Sequence, residues 1–220
     1  MNTASTATGN GHSATEGNDD KRAVLIGKAA RLMADKGYHQ ATMRDVSRAT
    51  GYSLAGLYHY FASKEDLLFQ LQQRVFSSLL AEQVEVQHRH SDEQQRVRAL
   101  IHNHLGFYAR HDAELKVCTF ELHSLRGDAY EHIEALRRRY FKLMVDAVTS
   151  LLKAHGLPAR AALVRHQVLF VFGALNWTFM WFDPARDAPV EKLGDELCQL
   201  FLDGLTGTPG QVRPGRSSLR

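Results

Sequence analysis

The stretch that decides the fold is residues 42–67, TMRDVSRATGYSLAGLYHYFASKEDL. Thr42, with Asp45 three residues later, is typical of a helix N-cap and predicts a short helix. Gly51 permits the tight turn that ends this helix, and Ser53 is a second N-cap that begins another. Two short helices joined by a tight turn form a helix-turn-helix. The side chains spaced to face inward are Val46, Ala49, Leu57 and Phe61.

Helical periodicity extends on both sides of this stretch. Upstream, apolar residues repeat along one face from about Arg22 to Lys36, and Gly37 is a typical helix stop. Downstream, Ser63 and the acids behind it predict a long helix that continues to about His88. Further helices are expected over about residues 92–110, 113–125, 129–155, 160–182 and 190–205. Strand signals are scarce, so the predicted fold class is all-α, with an N-terminal three-helix helix-turn-helix domain and a C-terminal helical domain.

Charge and composition suggest how the chain is divided. The net charge is +3, but residues 21–70 hold eight Lys/Arg against four Asp/Glu. A basic segment attracts phosphate groups, although a solvated surface would have the same composition. Residues 1–20 and 206–220 are polar and are predicted to be a disordered arm and tail. The helix-turn-helix domain is assigned to residues 21–67 and the second helical domain to 68–205.

Several classes of protein are excluded by absent patterns. The two cysteines, Cys118 and Cys198, form neither a disulfide framework nor a zinc spacing, which favours a reducing cytoplasm. No secretory signal is recognisable, and the most apolar run, 168–182, is shorter than the roughly 20 residues that span a membrane. The twelve histidines include no pair at metal-binding helical spacing, so no metal site is expected. No nucleophile–base motif or phosphate loop indicates an enzyme or a cofactor.

The chain resembles the tetracycline-repressor (TetR) family over about residues 22–70. The specific part of the resemblance is Leu57-Tyr58-His59-Tyr60-Phe61-Ala62-Ser63-Lys64-Glu65-Asp66-Leu67, preceded by an apolar helix that ends in Gly37-Tyr38. The resemblance implies a dimeric DNA-binding transcriptional regulator. It also implies a ligand-binding and dimerisation role for the C-terminal domain.

The resemblance assigns DNA contacts residue by residue. Tyr58 and His59 correspond to phosphate or base contacts, and Lys64 to a phosphate contact from the start of the fourth helix. Because no Arg or Asn stands between Ser53 and Tyr60, base recognition would depend on small side chains, on Arg44 or on DNA shape. Removing Lys64 should then weaken binding to all sequences alike, whereas changing Ala55 should alter sequence preference. The predicted DNA-binding residues are Thr42, Met43, Arg44, Ser53, Leu54, Ala55, Gly56, Tyr58, His59 and Lys64.

The last two helices are expected to form a homodimer interface. The helix over 168–182 is apolar nearly all round, so it needs cover on every side, from its own chain or from a partner. The final helix carries an apolar seam at spacings of three and four: Val190, Leu193, Leu197, Leu200, Phe201 and Leu205. A dimer would present two recognition helices about 34 Å apart, which predicts a near-palindromic double-stranded DNA operator.

A small-molecule effector site in the C-terminal domain is implied by the resemblance alone. Residues 176–184 resemble a stretch of family members that respond to acyl-CoA thioesters, and Arg137-Arg138-Arg139 would meet a CoA phosphate or form a solvated helix face. The alternative function is a structural DNA-binding factor that positions partner proteins without an effector. The candidate ligand residues, for which core or surface packing is the alternative, are Phe107, His111, Cys118, Glu121, Arg137, Asn176, Trp177 and Trp181.

Overall fold

The computed structural model describes residues 12–183 and 185–207, and within these ranges the chain is helical and contains no strand. The predicted all-α fold is therefore confirmed. The α-helices are α1 (His12–Lys36), α2 (Met43–Thr50), α3 (Leu54–Tyr60), α4 (Lys64–Arg89), α5 (Glu93–Arg110), α6 (Asp112–Phe120), α7 (Gly127–Ala154), α8 (Ala161–Trp177) and α9 (Val190–Thr206). Single 3₁₀ turns follow α6 at Leu122–Ser124 and α8 at Thr178–Met180.

Three helix ends differ from the predicted ones. Helix α1 begins at His12, well before the predicted start near Arg22, and no proline interrupts this stretch. The predicted disordered arm is thus helical from His12 onward, and its first eleven residues lie outside the described ones, as do residues 208–220 of the predicted tail. Helices α6 and α8 both end earlier than predicted and tighten into 3₁₀ turns. After α8 the amides of Trp181 and Phe182 both bond the carbonyl of Thr178.

The chain forms two compact units. The first unit comprises the residues up to Leu79 together with Arg110–Arg138, so it contains α1–α3, most of α4, α6 and the start of α7. Helix α1 packs against both α2 and α6. The fully buried side chains of this core include Leu25, Leu57, Phe61, Leu67 and Leu71.

The second unit comprises Leu80–Ala109 and the residues from Arg139 onward. It contains the remainder of α4, α5 and α7 together with α8 and α9. Among the residues that the structure describes, no helix is long and apolar enough to cross a bilayer. The buried core of this unit includes Leu100, Ile101, Leu105, Val148, Leu151, Val168 and Leu202.

Candidate nucleic-acid interface

The start of α2 is fixed by a complete capping box. The amide of Asp45 donates to Thr42 Oγ1 at 3.2 Å, and the amide of Thr42 donates to Asp45 Oδ2 at 2.9 Å. Lys36 Nζ donates to the same carboxylate oxygen at 2.7 Å. The hydrogen bond from Lys36, followed by those from Thr42, holds the pKa of Asp45 well below its ordinary value. The cap is therefore ionised and intact at neutral pH.

The turn between α2 and α3 is built by Gly51 and by side-chain hydrogen bonds. Gly51 has a φ of 79°, a left-handed conformation that disfavours a side chain. Thr50 Oγ1 donates to the carbonyl of Val46 at 2.8 Å, so Thr50 is buried, whereas the predicted inward-facing Ala49 is exposed. The prediction that Ala49 faces inward was therefore wrong: the hydrogen bond from the Thr50 hydroxyl to the Val46 carbonyl satisfies Thr50 inside the core, and Thr50 takes the buried position. Ser47 Oγ donates to the carbonyl of Tyr52 at 2.6 Å and closes the turn.

Helix α3 has one buried face and one exposed face. Ser53 caps it, since its hydroxyl accepts the amide of Gly56 at 3.0 Å. Leu57 is fully buried, as predicted, and so is Phe61 directly after the helix. The exposed outer face of α3 consists of Ala55, Tyr58 and His59. These three are among the predicted DNA contacts, and their position on the outer face is the one that a groove-binding helix requires.

At the start of α2, the predicted contacts Met43 and Arg44 differ in burial. The side chain of Met43 is 8% exposed, so it packs inside the first unit and is corrected from a predicted DNA contact to a core residue. Arg44 is exposed, and within the described part of the chain no hydrogen bond or ion pair holds its guanidinium. Arg48 instead pairs with Asp45. Arg44 is therefore the basic side chain of α2 that is available to a phosphate or a base.

Lys64, at the start of α4, is engaged inside the protein. Its ammonium donates to the carbonyls of Tyr38 and Ala41, both at 3.0 Å, and to that of His39 at 3.4 Å. It also lies 4.4 Å from the centre of the Tyr38 ring. An ammonium has three N–H donors, and these carbonyls account for all of them. Lys64 therefore fastens the loop between α1 and α2 to the start of α4, while its phosphate contact stays a prediction.

Four of the predicted ligand residues lie in the first unit, where two of them are in contact. Arg137 Nη1 donates to the carbonyl of the buried Cys118 at 3.5 Å, and its guanidinium stacks on Phe76. Burial raises the pKa of the Cys118 thiol above its ordinary range. Glu121 lies 3.6 Å from His39, which ties it to the α1–α2 loop. His111 is half-buried next to the start of α6.

The other four predicted ligand residues lie in the second unit and differ in burial. Phe107 is 1% exposed and belongs to the core. Asn176 is half-buried at the end of α8. Trp177 and Trp181 are each 54% exposed, so both indoles are open to solvent within a single chain. Whether any of these residues contacts a ligand stays a prediction.

A buried polar cluster in the second unit escaped sequence analysis. Gln83 Nε2 donates to the Tyr140 hydroxyl at 2.8 Å, and that oxygen lies 2.6 Å from His104 Nδ1. Burial lowers the pKa of His104 to about 4 and raises that of Tyr140. Tyr140 lies 57 residues from Gln83 and 36 residues from His104, and no local sequence pattern connects them. The one sequence signal for these three polar residues is that each occupies a position on the apolar face of a long helix.

An open apolar groove runs between α8 and α9 in the second unit. Its volume is about 300 Å³, and its walls include the exposed side chains of Phe170 (76%) and Leu200 (75%). Soluble monomers rarely expose large apolar patches, so such a face is typical of a protein interface. Four of the six members of the predicted seam line the groove: Leu197, Leu200, Phe201 and Leu205.

A capped helix-turn-helix with an exposed second helix defines the class of DNA-binding transcriptional regulators. Comparison with protein families identifies the family of regulators to which the chain belongs. Residues 25–71 match the family described as bacterial regulatory proteins, tetR family, and residues 90–205 match the tetracyclin repressor-like C-terminal domain. The chain belongs to the TetR family.

Individual relatives agree with this assignment. A TetR-family transcriptional regulator from Bordetella parapertussis 12822 superposes with a TM-score of 0.78 at 28% identity, covering 83% of this chain and 94% of that one. The structure of AibR in complex with isovaleryl coenzyme A and operator DNA gives 0.73 at 23% identity, covering 82% and 97%. The transcriptional repressor KstR2 of Mycobacterium tuberculosis (strain ATCC 25618 / H37Rv) is 22% identical over 190 residues, covering 86% and 94%.

Proposed function

We propose that this chain is a homodimeric repressor that binds a near-palindromic operator and is released from it by a small molecule, an acyl-CoA thioester. The observation that carries the proposal is the outer face of α3. Ala55, Tyr58 and His59 are exposed on a helix whose opposite side is anchored by the fully buried Leu57. Such a helix enters a major groove without disturbing the core that supports it.

Dimerisation through α8 and α9 is the second part of the proposal. Phe170 and Leu200 are more than 70% exposed in the single chain and flank one groove. A second copy of the same face would bury both side chains, as a two-fold symmetric interface pairs a surface with itself. The two α3 helices of such a dimer reach successive major grooves only on an operator with matching half-sites.

The effector class is supported by the fold of AibR, whose structure contains isovaleryl coenzyme A and operator DNA together. In this chain, Arg137, Arg138 and Arg139 are consecutive basic residues of α7 and are the candidates for contact with a CoA phosphate. Arg137 and Arg138 both lie within 4.0 Å of Glu134, which leaves Arg139 as the exposed member for which no ion pair is seen in the described residues. We expect the CoA moiety to contact the middle of α7, at Arg139.

The alternative, a DNA-binding factor that positions partner proteins without an effector, receives less support. Relatives that align along most of the chain are described as transcriptional repressors and as a fatty acid metabolism regulator. A repressor acting in the cytoplasm on one or a few operators is the proposal that these relatives favour.

Operator release tests the proposal directly. Operator fragments are first selected from random double-stranded DNA with the purified protein, and their affinity is then measured by fluorescence anisotropy. Isovaleryl-CoA and longer acyl-CoA thioesters are added to the complex, with free CoA as the matched control. We expect one acyl chain length to weaken operator binding at least tenfold while free CoA leaves it unchanged. Unchanged affinity with every thioester at saturation would refute the effector class, and failure to select any palindromic site would refute the dimeric repressor.

A further inference from the structure

The hydrogen bonds of the buried cluster formed by Gln83, His104 and Tyr140 fix the position of every proton in it. Gln83 Nε2 donates to the carbonyl of Leu100 at 3.0 Å and to the Tyr140 hydroxyl at 2.8 Å. A carbonyl only accepts, so the amide nitrogen must face Leu100, and its second hydrogen points to the Tyr140 oxygen. The Tyr140 oxygen is thus an acceptor for Gln83, and its own hydrogen is directed to its other neighbour, His104 Nδ1, 2.6 Å away.

The protonation of His104 follows from this chain of donors. Its Nδ1 accepts the hydrogen of Tyr140 and is therefore unprotonated. Burial lowers the pKa of His104 to about 4, so the ring is neutral at pH 7 and carries its single proton on Nε2. His104 is 2% exposed, and the Nε2–H group has no hydrogen-bond partner among the described residues.

A buried acceptor is left over at the other end of the cluster. Gln83 Oε1 is also buried and has no partner within the described part of the chain, and Gln83 is 2% exposed. An unsatisfied buried polar atom costs about 1–3 kcal/mol, so the cluster keeps one donor and one acceptor for which a further polar group would be stabilising. The aromatic ring of Phe172 lies 5.8 Å from His104 and 5.5 Å from Tyr140, which makes the surroundings apolar.

We propose that this cluster binds an uncharged oxygen group, a hydroxyl or a carbonyl, at the apolar end of the effector. The oxygen accepts from His104 Nε2–H. A carboxylate is disfavoured because all three side chains of the cluster are neutral and Glu82 contributes a negative charge near Tyr140. This assignment rests on the proposed effector-binding function of the second unit and adds the chemistry that the site selects.

The first test needs no substitution. Protein labelled with ¹⁵N-histidine reports the tautomer of each ring, and the His104 signals are identified by their loss in His104→Gln. We expect the Nε2–H tautomer for His104. Addition of 1-hexanol should shift the Nε2 resonance, and titration should show 1-hexanol binding at least tenfold more tightly than hexanoate at pH 7.5, since only the carboxylate brings a charge into the cluster. Equal binding of the two probes, or an Nε2 resonance that neither probe moves, would overturn the proposal; the latter result means that only water fills the site.

A matched pair of variants separates selection by the cluster from general affinity for apolar chains. Tyr140→Phe removes the hydroxyl that fixes the His104 tautomer, and we expect it to reduce the preference for 1-hexanol at least fivefold. Tyr130→Phe, in the first unit beside His123, removes a hydroxyl that is not part of the cluster and should leave the preference unchanged. Retained preference in Tyr140→Phe would overturn the role of the cluster. Operator release by acyl-CoA is measured separately. If acyl-CoA does not release the operator but the preference for 1-hexanol is present, only the proposed effector class is refuted. If acyl-CoA releases the operator but the preference for 1-hexanol is absent, only the proposed role of the cluster is refuted.

Discussion

Replacing Lys64 by methionine separates two roles that this residue has been given. The resemblance to the TetR family predicts a phosphate contact for Lys64, whereas in the structure its ammonium donates to the carbonyls of Tyr38, His39 and Ala41. Lys64→Met keeps the aliphatic stem and removes only the charged donor. If Lys64 contacts a phosphate, the variant should lose DNA affinity. If Lys64 is an internal clamp, holding the α1–α2 loop to the start of α4, the variant should lose stability.

The size of the stability loss follows from the contacts. Two of the three hydrogen bonds are 3.0 Å long, and a hydrogen bond from a charged donor contributes about 1.5–3 kcal/mol. Lys64 is half-buried, so water partly replaces the lost donor and about half of that sum remains. The stacking of the ammonium on Tyr38 adds about 0.5 kcal/mol. We expect Lys64→Met to lower the free energy of unfolding by about 2–3.5 kcal/mol, which corresponds to a fall in Tm of roughly 4–14 °C for a chain of this length.

The assay measures Tm by differential scanning calorimetry and operator affinity as a function of salt. Each phosphate contact contributes about 0.9 to the slope of log K against log salt, so losing one per protomer reduces the slope of a dimer by about 1.8. Arg44→Met is the matched control, because Arg44 is exposed and holds no partner within the described residues. We expect Arg44→Met to reduce the slope without changing Tm, and Lys64→Met to lower Tm with the slope unchanged. A normal Tm and a reduced slope in Lys64→Met would refute the clamp.

Four further predictions are independent of Lys64. Gly51→Ala places a side chain at a φ of 79° and should destabilise the protein by about 1 kcal/mol, measured by urea unfolding. Ala55→Ser should change the relative affinities for operators that differ in one base pair, whereas a uniform loss would argue against base contact there. Phe170→Glu should elute as a 24.8 kDa monomer in light scattering, while Val24→Glu, also at an exposed apolar position but distant in sequence from α8 and α9, should remain dimeric. Folding lowers the pKa of His104 from 6.5 to about 4, so the stability that its neutral form contributes is complete above pH 6.5 and is lost as the pH falls towards 4. Between pH 7 and pH 5 the free energy of unfolding should therefore fall by about 2 kcal/mol more in the wild type than in His104→Gln.

The helix-turn-helix was predictable because the signals that define it are local. The capping box joins Thr42 to a residue three positions away, and the second cap joins Ser53 to Gly56 in the same way. Gly51 adopts the positive φ that its position demanded. Local hydrogen bonds decide these features before any tertiary contact forms, so the sequence pattern and the structure agree. Ala49 and Met43 were misassigned because the face of α2 that is buried depends on its packing against α1 and on the hydrogen bond from the Thr50 hydroxyl to the Val46 carbonyl.

The polar cluster and the clamp could not be predicted in the same way. Lys64 reaches carbonyls 23 to 26 residues earlier in the chain, and any lysine at the start of a helix has the same local pattern. His104 and Tyr140 meet across 36 residues on two long helices. Each contact depends on the relative rotation of helices, which apolar periodicity leaves undetermined within a turn. Sequence therefore predicts which elements form, while the pairing of distant polar side chains requires the packed structure.

The loop between α1 and α2 is held from two directions, which bears on how an effector would release DNA. Lys64 holds its carbonyls from the start of α4, and Glu121, at the end of α6, lies 3.6 Å from His39 in the same loop. Gln72 of α4 donates to the carbonyl of Glu121 at 3.1 Å, so α4, α6 and the loop form one connected set within the first unit. Helix α6 also packs along α1, where a side chain at Gly27 would lie 3.6 Å from Glu114. Because a packed set of this kind shifts as a body rather than deforming, a displacement of α6 would move the loop that precedes α2 and thereby the whole helix-turn-helix. We therefore expect α6, together with α1 and α4, to transmit the effector signal.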